Sequence, residues 1–323
     1  MDVNSENPDR SGLDRDVWAA VMAAVKRAAK AVGRAGGGRK CVYADWLITA
    51  MYLWSAWHDR PLCWACDRGH YNTLFRPRKL PSVSQFTRRV KTDAVREILG
   101  RVHDDLAAVA LATPVSYIDG KPLTVGPVSK DPDAARGHVS GGFAKGYKLH
   151  AWASEDGRIP LWALTPLNLA EQTVAAELLC PNLPTHALPA QAVIAADSNY
   201  DSAPLHKALA RALADTPADA RLLTPLRNQG RVKDGKHHPV TLRQMGPGRR
   251  ELVELWAARP DLARLILKDR TAIERVFSAL TCAAGGLGPL PAWVRTLARV
   301  RRWVGAKIIL YHARLRARKR RAA

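Results

Sequence analysis

The chain has 323 residues, enough for about two domains with a sizeable hydrophobic core. Its hydrophobic content of 47% is typical of a globular protein, and because no apolar run approaches the roughly 20 residues that span a bilayer, an integral membrane protein is excluded. Fifty Lys and Arg against 29 acidic residues give a formal charge of +21, which predicts a polyanionic partner, with nucleic acid first and an anionic membrane surface second.

The N-terminal third of the chain has helical patterns. Residues 1–16 are polar and are predicted to be disordered. Four helices are then predicted, at 16–32, at 43–57, from an N-cap at Ser82 or Ser84, and at 95–111. Residues 17–112 therefore form an all-helical N-terminal domain. Its basic residues, among them Arg88 and Arg89, suit DNA binding, and a plain helical bundle is the equal alternative.

The cysteines favour a reducing compartment. The five are scattered, at Cys41, Cys63, Cys66, Cys180 and Cys282. Cys63 and Cys66 form one CxxC motif flanked by His58 and His70, so a zinc site is an alternative, but the second pair of a zinc finger is missing and free thiols are favoured. The polar N-terminus also lacks the apolar core of a signal peptide, so we expect a cytoplasmic protein.

The pattern changes at Pro114 to short β-prone segments that alternate with helices. Strands are predicted at 115–119, 147–153, 159–165, 192–196 and 222–226, and helices at 170–179, 201–214, 262–280 and 292–318. The polar stretch 227–250 is a loop or a small β insertion. This order of elements is typical of an α/β domain with a mixed sheet covered by helices.

Three acidic residues stand out by position. Asp119 ends the first strand, Asp197 closes the buried strand AVIAA, and Glu274 lies on a helix beside apolar residues. Strand ends are where an open α/β sheet presents its site, and Mg²⁺ prefers carboxylates. Two such ions about 3.5–4 Å apart can promote an in-line phosphoryl displacement. Taken singly, each acid has an ordinary interpretation as a turn residue, an N-cap or an ion-pair partner.

A family resemblance is carried by four segments, SYIDGKPLTV, GYKLHAWASEDGRIPLWALTP, AVIAADSNYDS and DRTAIERVFSAL. In this order and spacing they resemble the successive motifs of the bacterial insertion-sequence DDE transposases of groups four and five. The resemblance covers about 115–310. It implies a ribonuclease-H-like mixed sheet with flanking helices over 113–313, with an insertion at about 227–250, followed by a basic tail at 314–323.

The resemblance also implies the site residues. The catalytic and metal-binding acids of the family map to Asp119, Asp197 and Glu274. In group four the Glu belongs to a Tyr-x2-Arg-x3-Glu-x6-Lys signature, of which Arg270 and Glu274 match. The Tyr and Lys positions hold Leu267 and Thr281, departures that concern DNA contacts and leave the metal ligands unchanged.

The activity implied by the resemblance is DNA transposition. Such an enzyme binds terminal inverted repeats, hydrolyses phosphodiesters to expose a 3′-OH and joins it to target DNA, using two Mg²⁺ ions per site for which Mn²⁺ can substitute. An element has two ends, so a homodimer is expected on double-stranded DNA, in the bacterial cytoplasm at the nucleoid. The alternatives are a metal-dependent nuclease that does not join and a catalytically inactive, domesticated DNA-binding protein.

Eight basic residues are predicted to contact DNA, namely Arg270, Lys121, Lys145, Lys148, Arg88, Arg89, Arg316 and Arg318. For Arg270 a phosphate next to the cut is favoured over a pairing with Glu274. The chain carries no acidic residue after Glu274 while arginines and lysines recur to its end. A segment of one charge sign favours phosphate contacts, with a solubilising tail as the alternative.

Overall fold

The computed structural model describes residues 8–33, 42–108, 114–185, 191–214, 220–226, 246–282 and 287–322. Cys41, residues 1–7 of the predicted disordered stretch and most of the predicted insertion therefore lie outside the described residues. The chain divides into two compact units, a helical unit of residues 1–108 and 279–323, and an α/β unit of residues 109–278. Among the described residues, no helix is both long and apolar enough to cross a membrane.

The helical unit contains the four helices predicted near the N-terminus, together with the long C-terminal helix. These are α1 (Pro8–Val32), α2 (Asp45–Trp57), α3 (Val83–Arg89), α4 (Asp93–Ala107) and α10 (Leu297–Ala322). Ser82 is the N-cap of α3, in a capping box with Gln85 that confirms one of the two predicted caps. Trp18 of α1 packs edge-on against Trp54 of α2, with ring centroids 4.9 Å apart, in the core of this unit.

The helix α1 begins at Pro8, so the prediction that residues 8–16 are disordered is wrong. The first turns of α1 make long-range ion pairs that the local sequence pattern does not reveal: Asp14 lies 3.6 Å from Arg314, and Asp16 lies 2.7 Å from Arg321. The boundary predicted at 313, between a catalytic domain and a basic tail, falls inside α10 in the structure. Residues 279–323 belong to the helical unit, where α10 packs against α1 and α4.

The α/β unit is built on one mixed sheet. Its strands are β1 (Val115–Thr124), β2 (Ala135–Val139), β3 (Gly142–Ser154), β4 (Leu161–Pro166), β5 (Ala192–Ala195) and β6 (Ala220–Leu223). They lie in the order β2-β3-β1-β5-β6, and β4 also pairs with β3. The pairs β1–β3, β2–β3 and β3–β4 are antiparallel, whereas β1–β5 and β5–β6 are parallel. The predicted α/β class, with a ribonuclease-H-like mixed sheet, is confirmed.

Helices cover this sheet, at α5 (Glu171–Leu179), α6 (Ala203–Leu213), α7 (Pro247–Ala258), α8 (Pro260–Lys268) and α9 (Thr271–Cys282). Ile118, Trp152 and Ile194 of the sheet are buried in one cluster with Leu179 of α5 and Leu205 of α6. These contacts fix the ends of β1 and β5 relative to the helices that follow them.

Two of the predicted helix boundaries are corrected by the structure. The single helix predicted at 262–280 is two helices, because the chain turns at Asp269 and Arg270. The amides of these two residues bond three residues back, to Ile266 and Leu267, which ends α8 before α9 begins. Residues 247–250, predicted to lie in a loop, form the first turn of α7.

Candidate active site

Asp119 and Asp197 occupy matching positions on two neighbouring parallel strands, Asp119 within β1 and Asp197 just after β5. Tyr117 of β1 is in register with Ala195 of β5, and each acid follows its register residue by two positions. The prediction that Asp119 ends its strand is wrong, because β1 continues to Thr124 in antiparallel pairing with β3. The shorter β5 does end just before Asp197, so the two acids adjoin where this strand stops.

The carboxylate of Asp119 lies in an environment that disfavours its charge. Burial, reinforced by the negative charge of Asp197, raises the pKa of Asp119 to about 6. Two groups oppose this shift: the Gly120 amide, which donates a 2.7 Å hydrogen bond to Oδ1, and the cation of Arg270. The excess of negative charge at this point is what a bound cation would relieve.

Asp197 is held by the turn that follows β5. Its Oδ1 accepts a 2.8 Å hydrogen bond from the backbone amide of Asn199, and its Oδ2 accepts one of 3.1 Å from the side-chain amide of the same residue. Asp197 is therefore also an N-cap, here of the short 3₁₀ helix Ser198–Tyr200. Its ordinary structural role and a role in the site are compatible, since each carboxylate oxygen can accept more than one interaction.

Arg270 connects Glu274 with Asp119. Its Nη1 lies 3.6 Å from Oδ2 of Asp119, and its Nη2 lies 3.4 Å from Oε1 of Glu274, so one guanidinium group contacts both acids. The Glu274 side chain is 59% exposed, against 18% for Asp119. Within the described residues, no group of three or more His, Cys, Asp or Glu side chains is close enough to hold a metal ion. Two predicted acids thus adjoin directly, and the third is linked to Asp119 through Arg270.

A fourth acid, Glu171, belongs to the same neighbourhood. Its Oε1 accepts a 2.8 Å ion-paired hydrogen bond from Lys148, and both side chains are more than 85% buried. A Cβ atom added at Gly120 would lie 2.9 Å from Glu171 Oε1 and 3.0 Å from Lys148 Cδ, so the pair packs tightly against the backbone next to Asp119. Glu171 is not identifiable as a site residue from the sequence alone. Its position in the first turn of α5, directly after β4, was the only signal.

Tyr200 lies deeper in the same region. The side chain is fully buried, and its hydroxyl has no hydrogen-bond partner among the described residues. Burial raises the pKa of Tyr200 well above its usual value, and the charges of Glu171, Asp119 and Asp197 add to the effect. The phenol therefore remains a neutral donor near three carboxylates.

Asp201, four residues after Asp197, has a different environment. Its carboxylate is completely buried and accepts two hydrogen bonds from Arg249 of α7, at 2.8 and 3.0 Å. This bidentate ion pair fixes the turn after Asp197 to α7. Arg249 lies in the segment predicted to be a loop, which is why sequence analysis did not find the pairing.

The three lysines of the α/β unit that were predicted to contact DNA have different neighbours in the structure. Lys148 pairs with Glu171, as described above, and Lys145 donates a 3.0 Å hydrogen bond to the Ser129 carbonyl. The ammonium group of Lys121 lies 5.9 Å from the centre of the Phe277 ring. An open groove of about 400 Å³ runs beside Lys148 and Asn199 and is lined by side chains that include Arg136.

In the helical unit, Arg89 and Arg316 have acidic partners. Arg89 lies 2.6 Å from Asp45 and donates to the Tyr43 carbonyl, and Arg316 lies 3.5 Å from Asp105. Arg88 and Arg318 are exposed. The CxxC cysteines, Cys63 and Cys66, are free thiols.

A comparison with known families gives one match. The model of a family described as a transposase DDE domain matches residues 111–288, which is more than half of the chain and includes all three predicted acids. The match confirms the resemblance found in the sequence. No curated protein and no solved structure matches the chain.

Proposed function

Because the chain belongs to the family of transposase DDE domains, we propose that it cuts DNA at the inverted repeats of an insertion sequence and joins the 3′-OH ends to target DNA. Asp119, Asp197 and Glu274 are the proposed catalytic acids. Two observations best support this: the register of β1 and β5 puts Asp119 and Asp197 each two positions after paired residues, and burial, reinforced by the charge of Asp197, raises the pKa of Asp119 to about 6.

The donor chemistry of the site fits Mg²⁺, with Mn²⁺ as a substitute. All the candidate ligands are carboxylates, and burial together with the charge of Asp197 disfavours ionisation of Asp119, as expected where a cation belongs. Asp119 and Asp197 would hold the metal, and Glu274 would complete the set once Arg270 turns away. Two divalent ions, when bound, activate the attacking oxygen and stabilise the leaving oxygen of a phosphoryl transfer.

The surrounding side chains have positioning roles in this proposal. Arg270 exchanges its two carboxylate partners for the phosphate next to the cut, which its planar guanidinium can bind through two parallel hydrogen bonds. The buried Lys148–Glu171 pair keeps the backbone at Gly120 in place, and so fixes the direction of the Asp119 side chain. Asn199 orients Asp197 from the other strand.

DNA binding is proposed to depend on the basic surplus of the chain. The formal charge of +21 favours a polyanion, and each phosphate that is neutralised makes the affinity more dependent on salt. The exposed Arg88 and Arg318 are better candidates than Arg89 and Arg316, whose guanidinium groups already have acidic partners. A homodimer on DNA is proposed because each chain offers one set of acids and an element has two ends.

The test uses the full chain, the DNA that flanks its gene as the source of repeat ends, and a plasmid target. Asp119→Asn, Asp197→Asn and Glu274→Gln are each expected to abolish cleavage and joining while repeat binding persists. Glu254→Gln, an exposed glutamate on α7, is the matched control and should leave both activities unchanged. Retained cleavage in any of the first three variants contradicts the assignment of that acid.

Pre-cut repeat ends separate the alternatives. A transposase joins them to the plasmid, whereas a nuclease of the same family cuts repeat DNA and gives no joined product. A protein that binds the repeats but neither cuts nor joins with Mg²⁺ or Mn²⁺ is the inactive, domesticated form.

A further inference from the structure

The helical unit contains a small cavity that the proposed reaction does not use. It lies among α2, the turn that follows α2, the end of α3, and the segment that leads into α10. Its volume is about 200 Å³. That is below the roughly 300–1,000 Å³ of pockets for drug-sized ligands, so the cavity suits a group smaller than a dinucleotide cofactor.

Positive charge surrounds this cavity without compensation. Four cations line it, Arg60, Lys91, Arg299 and Arg302, and none of the lining residues that the structure describes is acidic. Burial lowers the pKa of Arg302, the nearby Tyr52 opposes this effect, and Arg299 and Arg96 add to it. An anion bound here would offset the mutual repulsion and the partial burial of these cations.

Several other cations of the same unit have acidic partners. Arg27 and Arg316 both pair with Asp105, Arg89 pairs with Asp45, and the buried Lys307 pairs with Asp59. By contrast, Arg60, Lys91 and Arg302 form no ion pair within the described part of the chain. Three cations without an acidic partner thus meet at one cavity.

Aromatic side chains supply the second half of the site. Trp293, 39% exposed, is one of the few large hydrophobic side chains in the described residues that face solvent, and it lines the cavity. Tyr52 also lines it and is only 5% exposed. Aromatic rings beside several cations are the combination that binds bases and phosphates of single strands.

We propose that this cavity holds the base of one unpaired nucleotide of a DNA strand against Trp293, with the phosphate of that nucleotide at the rim of the cavity among Lys91, Arg299 and Arg302. The choice of DNA over a free nucleotide as the source rests on the proposed function, whereas the nucleotide chemistry rests on the cavity alone. A duplex end with an unpaired nucleotide can reach such a cavity, but a blunt, fully paired end keeps its bases stacked.

The experiment measures binding of the full chain, without divalent ions, to a blunt duplex and to the same duplex with one unpaired 3′ nucleotide. The wild type is expected to prefer the extended duplex by about fivefold or more, the effect of one stacked base. Trp293→Ala should lose this preference and still bind the blunt duplex, whereas Trp293→Phe should keep it. Lys91→Ala should weaken binding of the extended duplex more than Lys79→Ala, an exposed lysine outside the cavity.

Equal binding of the two duplexes by the wild type, or an unchanged preference in Trp293→Ala, overturns the proposal. Competition by free deoxyadenosine monophosphate as strong as that by the extended duplex overturns the assignment to DNA. Because no cleavage is measured, a protein without transposase activity can still show the preference, and an active transposase can lack it, so the two proposals fail separately.

Discussion

The guanidinium of Arg270 lies 3.6 Å from the carboxylate of Asp119, and it is the link that joins Glu274 to the acids of the sheet. Arg270 stands at the turn between α8 and α9, which the sequence predicts to be a single helix. This turn directs the Arg270 side chain toward β1. The same cation that lowers the pKa of Asp119 also occupies the space between the two carboxylates. Its removal should therefore change both the acidity and the metal affinity of the site.

Arg270→Ala is expected to raise the pKa of Asp119 further above about 6, because a cation that favours the charged carboxylate is lost. In the metal-free protein, the midpoint of Asp119 ionisation should therefore move upward, by up to about one pH unit. NMR titration of the side-chain carboxyl carbons of the two metal-free proteins measures this shift.

Arg270→Lys, which keeps the charge, should move that midpoint less than Arg270→Ala. Arg264→Ala is the matched control, because Arg264 on α8 pairs only with the exposed Asp261 and lies outside the site. A midpoint that is the same in Arg270→Ala and the wild type would show that this cation does not act on Asp119.

Asp119→Asn is expected to stabilise the protein at neutral pH in the absence of metal. The pKa of Asp119 rises from its ordinary 3.8 to about 6 on folding, so the folded state binds its proton more tightly than the unfolded chain. Wild-type stability therefore falls as the pH rises from about 4 to about 6, by about 2–3 kcal/mol at roughly 1.4 kcal/mol per pKa unit. Asparagine carries no charge and avoids that loss.

Urea unfolding below pH about 4 and at neutral pH measures the difference. The two proteins should have similar free energies of unfolding in acid, and Asp119→Asn should be the more stable at neutral pH. Adding Mg²⁺ should stabilise only the wild type, because only it keeps the full set of carboxylates. Equal destabilisation by Asp119→Asn at both pH values would contradict this view of the site.

The sequence predicted the strands that carry the site because each leaves a local signal. VSYI and AVIAA are apolar runs that end in an Asp, and such runs identify buried strands without knowledge of their partners. The same argument explains why β2 was missed, since ARGHV has neither an apolar run nor an alternation. That strand exists because the two glycines at 141 and 142, both at positive φ, fold it back onto β3.

Features that depend on distant residues could not be predicted. The ion pairs of the first turns of α1 involve Arg314 and Arg321, which lie on α10 at the other end of the chain. Glu171 enters the site only because β4 and α5 bring it back over Gly120, a relationship of sheet topology. Local patterns therefore located the acids, whereas the charges around them became visible only in the folded chain.

Gly120→Ala is expected to impair cleavage through the Lys148–Glu171 pair. The added methyl would lie 2.9 Å from Glu171 Oε1 and 3.0 Å from Lys148 Cδ, so the pair must shift and the backbone at Asp119 shifts with it. A displacement of this kind near reacting groups costs about ten- to a hundredfold in rate. Single-turnover cleavage of repeat DNA measures the effect.

Gly126→Ala provides the control, since a Cβ there meets no atom within 4 Å. Its cleavage rate should match that of the wild type. If Gly120→Ala and Gly126→Ala cleave at the same rate, the tight packing against Gly120 does not position Asp119.

Asp59→Asn is expected to destabilise the helical unit, because it removes the charged partner of a buried ammonium group. Lys307 is fully buried on α10, where its Nζ donates to Asp59 Oδ1 at 2.5 Å and to the Ala56 carbonyl at 2.6 Å. Asn tolerates the positive φ of 54° at this position, so the backbone is preserved. Breaking a fully buried pair costs about 3–5 kcal/mol; the Asp59 side chain is 43% exposed, so about 1–3 kcal/mol is expected.

Urea unfolding should distinguish this pair from one at the surface. Asp93→Asn removes the partner of Arg96 in a pair whose side chains are 91% and 72% exposed, and it should cost less than about 0.5 kcal/mol. Combining Asp59→Asn with Lys307→Met should recover part of the loss, because the buried charge disappears together with its partner. If Asp59→Asn lowers the free energy of unfolding no more than Asp93→Asn does, the Lys307 ammonium is solvated in the folded protein. The attachment of α10 to the end of α2 then relies on apolar packing and not on this ion pair.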